Sequence, residues 1–189
     1  TKERRIVVKK LIKSPETTLI NLDKTVTSVV NCLSERGLTI ATAESCTGGL
    51  LSALITSVPG ASAVFECGIC SYSNRIKHKV LGVSEQTLAE YSEISEQTAG
   101  EMAEGLKKVS DADICVSVTG MAGPSGTPEH PVGTVYGGIF FGDSAHTFKI
   151  PFENPENSDR DEIRTQSAYY IFSVLDNLLK GASGQAVHN

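Results

Sequence analysis

The chain has 189 residues, enough for one domain with a sizeable core, and 40% hydrophobic against 21% charged residues is ordinary for a globular protein. Its 17 Lys and Arg against 22 Asp and Glu leave a net charge of −5, which argues against a nucleic-acid binder built on a basic face. No apolar run reaches the roughly 18 residues that span a bilayer, and the first residues show no signal-peptide pattern.

The densest basic stretch, KERRIVVKKLIK at positions 2–13, reads as part of a solvated amino-terminal extension over residues 1–20. A single domain is expected over 21–180 and a small, polar, flexible tail over 181–189. Leu22, Val26, Val29, Val30 and Leu33 recur at helical spacing, and Gly37 supplies a stop. LTIATAES follows as a short strand bounded by glycines, then TGGLLSALITS as a helix ending before Pro59-Gly60. FECGICSYS is a second strand. NRIKHKVLG, SEQTLAEY and SEQTAGEMAEGLKKVS are helices, the last two opening on Ser84 and Ser95 as N-caps.

DADICVSVTG is dense in β-branched residues and is expected at the centre of the sheet. A Gly- and Pro-rich loop leads to TVYGGIFFG, and Gly142-Asp143-Ser144 turns the chain into AHTFKIPF as a hairpin. The last helix is expected to start with Ser158 and Asp161 as a capping box and to bury Ile163, Tyr170, Ile171, Val174, Leu175 and Leu178. Strands interleaved with helices imply an α/β domain of three layers on a mixed, mostly parallel sheet ending in a hairpin.

Five cysteines, Cys32, Cys46, Cys67, Cys70 and Cys115, suit reduced thiols and a cytoplasmic location. Cys67 and Cys70 have CxxC spacing, but on a strand such residues point to opposite faces, so neither metal nor redox chemistry is expected from them. In parallel sheets ligands collect at the carboxyl ends of strands. AESCTGG, SYSNRIK and TGMAGPSG leave three strands there.

Cys46 lacks a neighbouring histidine in any hydrolase signature, since His78, His130, His146 and His188 all fall elsewhere, and it reads as a small buried hydrophobe. Ser45 reads either as a helix N-cap or as a nucleophile. Lys77, just beyond the second strand, is either a solvated lysine or a base of lowered pKa, and Tyr72 either packs on the core or assists proton transfer. Backbone N–H groups around Cys46 and Thr47 are candidates to face an oxyanion.

TAESCTGG, YSN with a lysine three residues after the asparagine, GVSEQTL, SVTGMAGPSG and PVGTVY resemble, in order, the CinA carboxy-terminal domain family of nicotinamide-mononucleotide amidohydrolases, from about Leu22 to Leu179. The resemblance implies a three-layer α/β/α sandwich around a mixed five-stranded sheet. It also implies deamidation of nicotinamide mononucleotide, a small-molecule nucleotide, to nicotinic acid mononucleotide and ammonia, with no metal or cofactor. Ser45 matches the family's nucleophile, Lys77 its base and Tyr72 its assisting hydroxyl. Cys46, Thr47, Gly48, Gly49, Asn74, Gly120, Gly123, Pro124 and Gly126 are expected to line the substrate, with the phosphate against Gly120–Gly126. Arg160 and Arg164 are either helpers at that phosphate or solvated surface residues. The basic extension and the loop GPSGTPEHP depart from the family pattern. A nucleotide-binding or protein-interaction module without turnover, and an amidase for another small amide, are the rival readings. A homodimer is the expected assembly.

Overall fold

A computed structural model describes residues 15–182 of the chain, so positions 2–13 of the basic stretch and tail residues 183–189 lie outside it. In chain order the elements are α1 (Pro15–Arg36), β1 (Ile40–Glu44), α2 (Leu50–Thr56), β2 (Phe65–Cys70), α3 (Asn74–Leu81), α4 (Glu85–Tyr91) and α5 (Glu96–Ser110). They continue with β3 (Ile114–Gly120), β4 (Val135–Phe141), β5 (Ser144–Lys149) and α6 (Arg160–Ala182). Single 3₁₀ turns occupy Ala61–Ala63 and Pro155–Asn157. The sheet order is β2-β1-β3-β4-β5. β1 runs parallel to β2 and β3, β4 is antiparallel to β3, and β5 returns antiparallel to β4.

The β-branched run in β3 does hold the centre, where both of its faces are covered. Alternation along the strands divides the interior in two. Ile40, Ile114, Val116 and Val118 face a layer of α1, α2 and α6, with Leu33, Leu51, Ile171, Phe172 and Leu175 buried against them. Ala41, Ala43 and Cys115 face the other way and pack with Leu81, Val83, Met102 and Leu106 from the layer of α3 and α5. Gly105 lets these two helices meet, since a Cβ there would stand 1.6 Å from the carbonyl oxygen of Leu81.

Three boundaries differ from the sequence reading. The first helix begins at Pro15 rather than near Leu22. The hairpin turn is Gly142-Asp143 alone, because Ser144 already pairs with Phe141. The capping box of α6 sits one residue on from Ser158 and Asp161: Glu162 N–H donates to Asp159 Oδ1 at 2.8 Å and Asp159 N–H donates to Glu162 Oε2 at 3.1 Å. Ser158 instead closes the preceding 3₁₀ turn through its N–H to the Pro155 carbonyl, and Asp161 pairs with Arg164 at 2.6 Å. No helix among the described residues is long and apolar enough to cross a membrane.

Candidate active site

Adjacent residues on a strand point to opposite faces, and at the end of β1 those residues are Glu44 and Ser45. Glu44 turns toward α2 and is fully buried. Its Oε2 accepts from Thr47 Oγ1 at 2.7 Å and from the N–H groups of Gly49 and Leu51 at 3.0 and 3.1 Å. Its Oε1 accepts from Ser52 N–H at 2.9 Å, Ser52 Oγ at 2.8 Å and Thr42 Oγ1 at 3.3 Å. The start of α2 is therefore capped by a carboxylate reaching forward from the strand, while the N-cap residue itself is Gly49, at φ 97°, with no capping side chain. Ser45 is not the cap.

Released from that duty, Ser45 faces the α3 layer. Glu44 pairs with Cys70 on one side and Val118 on the other, so continuing the register sets Ser45 level with Ser71 and Thr119. Lys77 comes from the first full turn of α3, whose start is fixed by Ser73 accepting from Ile76 N–H. The Lys77 side chain is completely buried, and its Nζ lies 2.9 Å from Ser45 Oγ, 2.8 Å from the Ser71 carbonyl oxygen and 3.4 Å from the Tyr72 carbonyl oxygen. Burial pushes the amine below its ordinary pKa, against the opposing pull of the Glu93 carboxylate and of Cys46. The Cys46 thiol is pushed up to about 12, chiefly by burial, so it is no thiolate at neutral pH.

Two cations stand over this strand end, both from α6. Arg160 donates to the Gly123 carbonyl through Nη1 and to Tyr72 Oη through Nη2 at 3.2 Å. Arg164 donates to the Thr47 carbonyl through Nη2 at 2.9 Å and through Nε at 3.3 Å.

The CinA C-terminal domain model matches residues 22–179 of the chain. The chain belongs to the CinA family. It is 49% identical over 164 residues to a CinA-like protein of Thermotoga maritima, an alignment covering 86% of this chain and 39% of that protein. The chain thus spans well under half the length of such curated relatives. Crystal structures carry the same fold: a CinA superfamily protein from Klebsiella pneumoniae at 31% identity and TM-score 0.80 covers 85% of this chain and 98% of its own. A competence/damage inducible protein from Agrobacterium tumefaciens, at 33% identity and TM-score 0.79, covers 85% and 96%.

Within this CinA domain, the remaining residues expected at the site fall into two groups. Around Ser45, the N–H groups of Cys46 and Thr47 donate to no other residue among those described, whereas Gly48 N–H is taken by the Ser45 carbonyl at 3.1 Å. Gly48, expected to line the substrate, thus has no N–H left to offer an oxyanion. The Tyr72 side chain is 65% exposed, and its hydroxyl accepts from Arg160. Expected beside the proton-transfer pair, it lies instead at the arginine end, and only its backbone carbonyl reaches Lys77. Asn74 is exposed at the head of α3.

The glycine-rich loop behaves differently from a phosphate cradle at a helix start, because no helix follows it before β4. Gly120 ends β3 against β4, where a Cβ would stand 2.7 Å from Thr134 O and from Val135 Cα, so close strand packing requires it. Gly126 packs against residues 130–132 of its own loop, and Gly123, at φ 89° just before Pro124, presents the carbonyl that Arg160 holds. The cationic side chains missing from that loop come from Arg160 and Arg164. Glu44, Glu93 and Thr119 were not read as site residues. The strand reading of IATAES already implies that the adjacent Glu44 and Ser45 serve different faces.

Proposed function

We propose that the domain is an amidohydrolase that deamidates nicotinamide mononucleotide to nicotinic acid mononucleotide and ammonia through a serine ester. The observation that carries this reading is the fully buried Lys77 amine 2.9 Å from Ser45 Oγ. The other two contacts of Nζ are to carbonyl oxygens, which only accept. A neutral amine has two N–H bonds, and directing them at the Ser71 and Tyr72 carbonyls leaves its lone pair facing the serine hydroxyl. Burial lowers the amine's basicity and so favours that neutral form, and the family resemblance of the surrounding motifs supplies the substrate.

The chemistry then balances in two halves. Ser45 Oγ bonds to the carboxamide carbon while its proton passes to Lys77 Nζ. The tetrahedral oxyanion is met by the N–H groups of Cys46 and Thr47, which no other described residue takes up. The C–N bond breaks, the nitrogen takes the proton from Lys77, and ammonia leaves an acyl ester on Ser45. Water attacks that ester, giving its proton to Lys77, which returns it to Ser45 Oγ as the acid departs. Arg160 and Arg164 meet the phosphate, and the Tyr72 ring, held by Arg160, flanks the entrance.

Purified protein incubated with nicotinamide mononucleotide is expected to release ammonia and the acid mononucleotide in equal amounts, and Ser45→Ala to lower turnover by about 10³-fold or more. Binding of the mononucleotide with no turnover by the unaltered chain would refute hydrolysis and favour a binding module. Equal turnover of free nicotinamide would refute recognition of the phosphate.

A further inference from the structure

Ser92 stands at φ 68°, ψ 174°, a backbone region that side-chain-bearing residues adopt only under strain. Several contacts hold it there. Its carbonyl accepts from Thr98 Oγ1 at 2.7 Å and Ser95 Oγ at 3.2 Å, and its hydroxyl meets Ile94 N–H at 3.1 Å and His130 Nε2 at 2.9 Å. The residue placed by this bend is Glu93, which is half-buried. Its carbonyl accepts from Thr119 Oγ1 at 2.6 Å, beside the strand that carries Ser45. Its Oε2 lies 3.4 Å from Asn74 Nδ2, at the head of the helix that carries Lys77. This carboxylate takes no proton in the transfer and by itself raises the Lys77 pKa against burial, yet the backbone is distorted to bring it to the edge of the serine–lysine pair.

We infer that Glu93 is a specificity-determining residue whose carboxylate pairs with a positive charge on the substrate ring, so that the site selects a carboxamide borne on a cationic heteroaromatic ring. This rests on the deamidation reading. In nicotinamide mononucleotide the ring nitrogen bonded to ribose is formally positive and the phosphate is negative. The site carries the complementary pair: the Arg160 and Arg164 guanidiniums on the side of Thr47 and Gly123, and the Glu93 carboxylate on the side of Asn74, its backbone carbonyl held by Thr119. An ordinary aliphatic amide offers Glu93 no partner. A neutral ring of the same shape would satisfy the arginines and leave the carboxylate unpaired.

The test uses the Ser45→Ala chain, which holds ligand without turning it over, with and without Glu93→Gln. Affinities are measured by calorimetry for nicotinamide mononucleotide and for its dihydro form, whose ring is neutral and whose phosphate is the same. With Glu93 present, the cationic form is expected to bind about tenfold tighter than the neutral one. Glu93→Gln is expected to weaken the cationic form by about tenfold and leave the neutral form within about twofold, removing the preference. Equal weakening of both forms, or no change in either, would overturn the inference while leaving deamidation standing. Failure of both forms to bind the Ser45→Ala chain would overturn the deamidation reading and this inference with it.

Discussion

Glu44→Gln puts the buried cap to a quantitative test. The glutamine amide keeps one acceptor oxygen and gains two N–H donors in a pocket lined by donors. Its cheaper orientation places the NH₂ at the Oε1 position, because the hydroxyls of Ser52 and Thr42 can rotate to accept from it. Ser52 N–H then loses its partner, which costs about 1–3 kcal/mol. On the other oxygen, Thr47 Oγ1, Gly49 N–H and Leu51 N–H stay bonded to a neutral acceptor in place of a charged one. That costs roughly 1 kcal/mol each. Relief of the buried charge offsets part of the sum, leaving a net loss of about 2–4 kcal/mol out of a typical 5–15. Urea unfolding should show a lower midpoint at unchanged slope. Because the same oxygens fix the Thr47–Gly49 turn beside Ser45, turnover measured well below that midpoint should fall by about tenfold or more. A stability change under about 0.5 kcal/mol would refute the view that this carboxylate organises the loop.

The remaining predictions concern ionisation at the two nucleophile types. Turnover needs the neutral Lys77 amine, so it should rise with pH along a limb lying below the ordinary lysine value of 10.5, since burial lowers the native pKa. A limb centred at or above 10.5 would contradict a desolvated base. Cys46→Ala should keep turnover within a few-fold, because its thiol ionises only near 12, and the folded protein should resist iodoacetamide at that position at neutral pH. Abolished turnover in a stably folded Cys46→Ala protein would return the cysteine to the role of nucleophile.

Order and identity of the elements were readable in the chain because Val26–Leu33 keeps helical spacing, LTIATAES is a short β-branched run bounded by glycines, and the β-branched density of ICVSV marked the central strand. The convergence of the strand ends was readable for the same reason. What the sequence hid was which groups serve which job at those ends. On local pattern Ser45 reads either as a cap or as a nucleophile, since serine is a preferred N-cap at a strand-to-helix junction, and only the family resemblance points to the nucleophile. The cap was supplied instead by a glutamate placed before the loop, contrary to the local N-cap rule, which considers side chains at the junction alone. Arg160 and Arg164 are distant in sequence from the loops they reach, and the packing of α6 against α1, α2 and β4 brings Arg160 to the Gly123 carbonyl and Arg164 to the Thr47 carbonyl. Glu93 follows a strained serine, and no residue type announces a backbone bend that glycine would usually mark.

Lys77 could still be a tie-bar, an ammonium strapping the Ser71 and Tyr72 carbonyls to the serine loop, and stability separates that role from the basic one. A structural strap works as a cation with three acceptors, so deleting it by Lys77→Met would orphan buried carbonyls and destabilise the fold at every pH. A base of lowered pKa donates to the same carbonyls but adds a pH dependence. Its desolvation penalty is fully present below the native pKa and fades as pH rises toward 10.5, because the unfolded chain keeps a proton that the native state has released. Lys77→Met leaves the carbonyls without their donor in either role, so the roles are separated by slope. For a desolvated base, destabilisation relative to the parent should grow from pH 6 toward pH 10, with no turnover at either. A destabilisation that stays constant or shrinks between pH 6 and pH 10 would show the lysine to be a strap, because its native pKa would then not lie below that of the unfolded chain.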